Sequence, residues 1–486
     1  MNITQKIKEF GSVVSKAINR IFKKEQLDNL ARKTGFVQRS NSKIQGSDFI
    51  ELMTTEIVQE PNISYDGLCD RLKSINLSAD ITAQALEQRV NTDGAVSYLE
   101  ETLKLALLEN LKLSNECIDV QLLDFFRHVY LQDSTQGCLH EKLASEFKGS
   151  GGSASKSSVK IDLVYEWKQH IIYELLVSQG ATADQSRAGS FLEQLKPKDL
   201  LLRDLGYFKI ASKSQIKTIG AFSLSRLHKS VDVYLSKDDE IPLDLPKYLN
   251  KAYRNDNVID ITVYLGKKER LQYRLIAYRP PHEIVRYRRS KARQNATKKG
   301  KKPPTQGYLD WLEFSFFVTN VPVEIWSAKI VGTIYRLRWQ VELIFKNWKS
   351  LLQIHILKGT RVERIKCLIY GRLISIVVIT IICGFASKIA QLQYQQEVSF
   401  HKVIQWLLRS ERLANAVCDN LISSLLVDLG LNLQRLCKQK RKRKTTQELI
   451  NSQIDYMESF DHNTIRQELI DSQISLNDNK SVVEGA

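Results

Sequence analysis

Residues 373–386 (LISIVVITIICGFA) carry fourteen uncharged, mostly apolar side chains in a row, and that run sets the first condition on the fold. Such a segment has to leave water. Crossing a bilayer as a helix takes about 20 apolar residues, and Arg372 blocks any extension upstream. The run is therefore expected inside a protein core, as a helix or a strand, with no membrane involved. A chain of 486 residues with 43% hydrophobic residues can supply that core, divided among roughly two to four domains. Only 9 prolines and 22 glycines exclude a collagen-like or low-complexity chain.

Charge points to partners. The formal net charge of +17 makes a polyanion, DNA or RNA above all, the leading class of partner. Seven cysteines, odd in number and without a CxxC, predict free thiols in a reducing cytosol. The histidines are too scattered for HExxH or another local zinc motif. The first 21 residues alternate charged and apolar side chains, so no signal peptide is expected there.

The periodicity divides the chain. Ile7, Phe10, Val14, Ala17, Ile18 and Ile21 recur at helical spacing, and residues 1–120 read as helical. Ser64 and Asp80 are expected to cap two short helices joined by a polar turn, a pattern open to a helical hairpin or a helix-turn-helix. In the second case Thr82, Gln84, Gln88 and Arg89 would face a DNA groove. From 121 to 215 the texture is mixed: a short strand ending at Asp133, alternation at Val159, Ile161, Leu163 and Tyr165, and an apolar burst at 200–202 closed by Arg203-Asp204. Residues 216–318 look strand-rich, with a run at 284–302 of nine Lys or Arg and no acid. We expect that run to form an exposed loop touching phosphates through Arg286, Arg288 and Arg289. Residues 319–437 are expected to be helical around a motif segment, and 438–486 to be a basic tail with a near repeat (QELINSQI, QELIDSQI) and no chemistry.

The motif segment is 330–352, IVGTIYRLRWQVELIFKNWKSLL, proline-free and helical by pattern. At about 100° per residue, Tyr335, Arg338, Glu342 and Lys349 fall within about 60° of one another, on a stripe apart from the apolar face. A phenol, a guanidinium, a carboxylate and an ammonium in line suit a phosphodiester: the acid can hold a metal and the cations can grip phosphates. An ordinary solvated stripe with an i,i+4 ion pair fits that spacing equally well.

The intervals decide more. Tyr335, two residues, Arg338, three residues, Glu342, six residues, Lys349 resembles the Y-(2)-R-(3)-E-(6)-K signature of the insertion-sequence 4 family of DDE transposases. Asp133-Ser134-Thr135 resembles that family's first-acid block, and 203–208 (RDLGYF) its second. The blocks 222–226 (FSLSR) and 318–320 (VTN) also match in order and position. The resemblance implies an α/β fold: a ribonuclease-H-like mixed sheet flanked by helices, interrupted by a β-rich insertion domain, after an all-α N-terminal DNA-binding domain. Asp204 and Glu342 stand 138 residues apart, which leaves room for the insertion. It further implies that Asp133, Asp204 and Glu342 are catalytic and hold two Mg²⁺ or Mn²⁺ ions. Tyr335, Arg338, Lys349 and Arg226 would contact DNA, with Trp311 loosely placed for a flipped-base pocket. The activity would be cut-and-paste transposition with a hairpin step. The partners would be double-stranded DNA (the element's inverted repeats and the target) and a second copy of the chain. An inert DNA binder and a purely hydrolytic nuclease remain the alternatives, and Asp162, Asp199 and Asp310 the rival acids.

Overall fold

The apolar run becomes the middle of a 33-residue helix, Val362–Tyr394, in a computed structural model that describes residues 3–60, 62–113, 123–151, 155–252 and 258–438. By length and composition this helix could cross a membrane, but 78% of its most apolar window is buried in protein. It is the core element the sequence called for. Burying one Ile or Val side chain is worth roughly 1.5–3 kcal/mol, and this helix buries ten of them. Arg372 is buried along with them. Its guanidinium donates to the carbonyls of Gln353 (2.9 Å) and Ile356 (2.6 Å), so the charge keeps partners.

The chain packs into two compact units, and each is described by itself. The first takes in the N-terminal helices, Asp133–Thr182 and Val341–Arg441. Helix Ile3–Ile21 buries Ile7, Val14, Ala17, Ile18 and Ile21, the face that the spacing predicts, against helices Asp93–Leu111, Val362–Tyr394 and Ile422–Leu436. Helices Tyr65–Ile75 and Ala83–Val90 form where expected. Ser64 caps the first by accepting from the Gly67 N–H, while Thr82, not Asp80, caps the second. Arg89 does not present its guanidinium to a groove: it donates to the Phe36 carbonyl and the Ser42 hydroxyl and stacks over the Phe36 ring. Strands β2 (Ser158–Glu166) and β3 (Ile171–Gln179) pair antiparallel, with a bulge between Val164 and Tyr165. Every residue of β2 is buried, so both its faces are covered. They flank the second half of β1 (Val129–Cys138) in the order β3-β2-β1. Strand β1 thus runs on through Asp133, where the sequence suggested an end.

The second unit takes in Asp119–Gln132 and Ala183–Gln340. Its sheet runs β1-β4-β5-β9-β8-β7-β6, with β4 Leu200–Arg203, β5 Phe222–Arg226, β6 Val233–Tyr234, β7 Val258–Leu265, β8 Leu271–Tyr278 and β9 Ser315–Thr319. The pairs β1-β4 and β4-β5 are parallel and the rest antiparallel, so the fold is mixed α/β. In β7 the inward residues Ile259, Ile261, Val263 and Leu265 alternate with outward ones, the period of a half-buried strand. The two short motifs at 222–226 and 318–320 become neighbours: Leu224 faces Thr319, and Asn320 clamps the strands by accepting from the Ser223 N–H (2.8 Å) and donating to the Ala221 carbonyl (2.8 Å).

Two local expectations fail here. The basic run is not a loop. It forms most of a 17-residue helix, His282–Lys298, followed by the short helix Gln306–Trp311, so the stretch between β5 and β9 is far more helical than its strand-like flanks suggest. The motif segment is not one helix either. Helix Ala328–Tyr335 ends in a 3₁₀ turn, Arg336–Arg338, before helix Trp339–Ser350 begins. Of the basic tail only Lys438 falls among the described residues; the near repeat lies outside them.

Candidate active site

In the second unit the site is built at the end of β4. Parallel pairing places Gln132 of β1 opposite Arg203 of β4, and the side chains repeat the match: Arg203 Nε donates to Gln132 Oε1 at 2.7 Å and Nη1 to the Ala188 carbonyl at 2.8 Å. Burial lowers the Arg203 pKa to about 10. Asp204 follows Arg203 directly, just past the end of β4. Asp204 leads into the turn Leu205–Tyr207, with its side chain 48% exposed. At Gly206 the Asp184 carboxylate comes close to the turn, 2.7 Å from where a Cβ would stand.

Arg338 comes to that carboxylate from the 3₁₀ turn, its Nε 3.8 Å from Asp204 Oδ1. Tyr335 lies beneath, buried, its hydroxyl donating to the Arg203 carbonyl at 3.4 Å and its ring packed edge-on to Phe317. The guanidiniums of Arg226 and Arg338 each lie 5.8 Å from the Tyr335 ring centroid. Burial is the main cause that raises the phenol to about 12, with Asp204 pushing the same way and the two arginines opposing. The helix before the turn is seated by Gly332, whose N–H donates to the Tyr278 hydroxyl at 2.9 Å. One half-exposed carboxylate, a phenol and two guanidiniums thus meet within one unit. The paired cations suit an anionic, phosphate-bearing ligand.

The first unit carries the other two predicted acids. Asp133 in β1 accepts from the Ser134 N–H at 2.8 Å, and Glu342 is half-buried in the first turn of helix Trp339–Ser350. Lys349 stands in the last turn of that helix and helps burial keep the nearby His355 imidazole neutral, lowering its pKa. His355 in turn lies against β1, where only a glycine fits comfortably: a Cβ on Gly137 would come within 3.2 Å of its Cα.

Residues 124–378, which include all three acids, match the family model described as "Transposase DDE domain". The chain is 30% identical over 370 residues to the transposase for insertion sequence element IS231E of Bacillus thuringiensis subsp. finitimus, covering 72% of this chain and 75% of that one. It is 28% identical over 415 residues to the transposase for insertion sequence element IS1151 of Clostridium perfringens, covering 81% and 86%. This chain belongs to the DDE transposases. A solved piggyBac transposase synaptic complex with hairpin DNA is similar at TM-score 0.45 and 11% identity, covering 90% of this chain and 87% of that one.

As a DNA-cleaving enzyme of an insertion sequence, the transposase uses its other charged residues unevenly. Arg286 is exposed on helix His282–Lys298, whereas Arg288 and Arg289 turn inward. Arg288 donates to the Phe314 carbonyl and the Ser315 hydroxyl, and Arg289 to the Leu309 carbonyl and Glu313. Trp311 packs on Phe316 at 4.2 Å between ring centroids, against the sheet core. Of the rival acids, Asp199 is fully buried in a two-pronged pair with Arg127, and Asp310 bonds Gln306 and Arg289. Asp162 is buried in β2.

One residue of the transposase escaped the sequence reading. Lys213, in helix Ile210–Ile219, is buried between the rings of Phe208 (4.9 Å) and Tyr273 (5.3 Å) and donates to Ser225 Oγ at 2.8 Å. Burial first, then the nearby Arg203, lowers its pKa to about 7. A lysine in an otherwise ordinary helix gives no sign of this in one sequence. The pocket around it is closed by Ser225 of the next strand, β5, and by Tyr273 of β8, 60 residues further on.

Proposed function

We propose that this transposase carries out cut-and-paste transposition, cleaving the ends of its element and joining them to target DNA, with Asp133, Asp204 and Glu342 as the catalytic carboxylates of a ribonuclease-H-like core. The observation that supports the reading is the parallel register of Gln132 with Arg203 in the second unit, each the residue before one of the two aspartates in the sequence. Ligands of open α/β sheets gather outside the carboxyl ends of parallel strands.

The family implies divalent metal ions, and the donor chemistry fits them. Among the described residues no three His, Cys, Asp or Glu side chains cluster tightly enough to hold one ion. Mg²⁺, however, keeps much of its water and takes one or two carboxylates plus substrate phosphates. Hard carboxylate oxygens, with Asp204 half exposed, meet that need for Mg²⁺ or Mn²⁺. When bound, a pair of such ions lowers the pKa of the attacking water or 3′-hydroxyl and offsets charge on the leaving oxygen.

The remaining roles fall to the chain's own groups. Arg338 holds a phosphate beside Asp204, Arg226 holds the next, and Lys349 a third on the Glu342 helix. Tyr335, too hard to ionise near neutral pH, orients Arg338 and Arg226 over its ring and acts as a donor, not as a base. Moving two element ends in concert calls for a dimer. The test is cleavage of DNA bearing the element's ends by full-length protein with Mg²⁺. Asp133→Asn, Asp204→Asn and Glu342→Gln should each lower the rate at least about a thousandfold while DNA binding persists. Near-wild-type cutting by all three variants would refute the assignment.

A further inference from the structure

Helix His282–Lys298 has two faces that are built differently, and its inward Arg288 feels the charge of Arg226. Val285, Arg288, Arg289, Ala292 and Ala296 are the residues that are buried or half-buried, and at about 100° per residue they share an arc of about 100°. The two inward arginines tie that face to the short helix Gln306–Trp311 and to Phe314 just before β9. The opposite face is exposed, and its cations are not scattered. Arg286 and Arg293 lie within about 20° of each other, as do Lys291 and Lys298, and the two pairs stand about 140° apart. They form two rails along a helix of about 25 Å. Between the rails lie Glu283, in the first turn, and then Tyr287, Ser290, Gln294 and Thr297, these four exposed, uncharged and able to hydrogen-bond. The only acid, Glu283, sits in the first turn, where it suits the helix dipole.

We propose that this helix enters the major groove of duplex DNA near the element's end and reads its sequence, with the two rails on phosphates of opposite strands and Tyr287, Ser290, Gln294 and Thr297 toward the base edges. A major groove about 12 Å wide admits one α-helix with its side chains. Phosphate contacts from both sides fix the helix in register, and amide and hydroxyl groups between them supply what a donor-acceptor code requires. Duplex DNA is the occupant that the charge selects: a protein partner would need two parallel acidic rows to match the rails. The exposed Tyr287, 63% accessible with Lys291 Nζ 5.7 Å from its ring centroid, adds a flat apolar surface of the kind that packs on thymine methyls. The inference rests on the transposase reading for the choice of DNA, and it is tested separately from the chemistry.

The probes are two duplexes of about 40 base pairs, four helical turns, one carrying the element's terminal repeat and one a scrambled sequence of the same composition. Binding to full-length protein is followed by fluorescence anisotropy across a salt series. The variant with Arg286→Gln, Lys291→Gln, Arg293→Gln and Lys298→Gln should lose affinity for both duplexes. Its log–log salt slope should shrink by about four, roughly one for each phosphate contact removed. Because all four side chains are exposed, folding should be unaffected, which circular dichroism and the thermal midpoint would verify. The double variant Ser290→Ala, Gln294→Ala should keep its affinity for the scrambled duplex and lose at least about tenfold for the terminal repeat, as expected when base contacts go. Unchanged affinity and slope in the rail variant would overturn the proposal. An unchanged preference for the repeat in the Ser290/Gln294 variant would overturn groove reading, and tighter binding to an RNA duplex of the same sequence would reassign the face. If the rail variant binds normally while Asp204→Asn is inactive, this inference falls alone. If Asp204→Asn still cuts, the catalytic reading falls and the binding result stands.

Discussion

Around the end of β4, cations are packed inward: Arg203 and Lys213 are buried, and Arg338 is 13% exposed beside Asp204. On helix His282–Lys298, in the same unit, Arg286, Lys291, Arg293 and Lys298 stand in solvent. Both regions contribute to the same net positive charge, yet they can do different things. A buried cation has given up water and holds a fixed geometry, so it can act on one chosen oxygen at high strength. An exposed one is screened and mobile, so it adds affinity in small, salt-dependent steps. Net charge therefore points to a polyanionic partner, and burial separates cations held in a fixed geometry from those left in solvent.

The sharpest way to break this comparison is at Arg338. Replacing Arg338 by Gln should lower the single-turnover cleavage rate between about a hundred- and a thousandfold, the range for losing one preorganised charge-stabilising donor. Affinity for DNA should change little. The exposed rails should behave in the opposite way, with binding weakened and the rate at saturating DNA retained. An Arg338→Gln enzyme with a normal rate and weakened binding would put Arg338 in the exposed class and dissolve the distinction.

Much of this was legible beforehand. The helical face of residues 3–21, the alternation in β7 and β8 and the burial of the apolar run follow from periodicity, because each involves many residues repeating one rule. The signature spacing singled out Tyr335 and Arg338, and the block at 203–208 Asp204, three residues that meet within the second unit, but not the way the cluster forms. The 100° arithmetic fails between Tyr335 and Arg338, where the backbone tightens into a 3₁₀ turn. The basic run was misread because its inward face holds one strong hydrophobe, Val285, two alanines and two arginines; that pattern looks solvated, although the arginines find carbonyls. Arg89 and Lys213 illustrate the same limit. Their neighbours (Phe36 and Ser42 for one, Tyr273 for the other) come from elsewhere in the chain, and no local rule reports them.

Lys213 sharpens the comparison through pH. Its folded pKa, about 7, lies below its ordinary value of 10.5, so between those values the unfolded chain binds a proton that the native state does not. Stability from this group is therefore lowest at and below about pH 7 and rises as the pH climbs toward 10. Lys213→Met, which keeps the length of the side chain without the charge, should remove that rise. In chemical denaturation the stability difference, variant minus wild type, should be largest at pH 6–7 and shrink steadily by pH 9. A pH-independent difference would mean that the ammonium is solvated in the native state. Lys213 would then belong with the exposed cations.

The mildest test uses the boundary case on the basic helix itself. Arg288 lies two residues from Arg286 but donates to the Phe314 carbonyl at 3.2 Å and to Ser315 Oγ at 2.9 Å, and its pKa is lowered by burial and by Arg226. If burial decides the role, Arg288→Ala should cost about 1–2 kcal/mol of stability from the loss of these two hydrogen bonds, with little change in the salt dependence of DNA binding. Arg286→Ala should do the reverse: no measurable loss in the urea midpoint, and a salt slope smaller by about one. The two substitutions remove the same charge from the same helix, so total charge alone predicts identical results for both. Equal losses of DNA affinity, with equal stabilities, would show that the helix acts as a diffuse positive patch. A split between them would show that the inward arginine anchors the helix and the outward one serves the DNA.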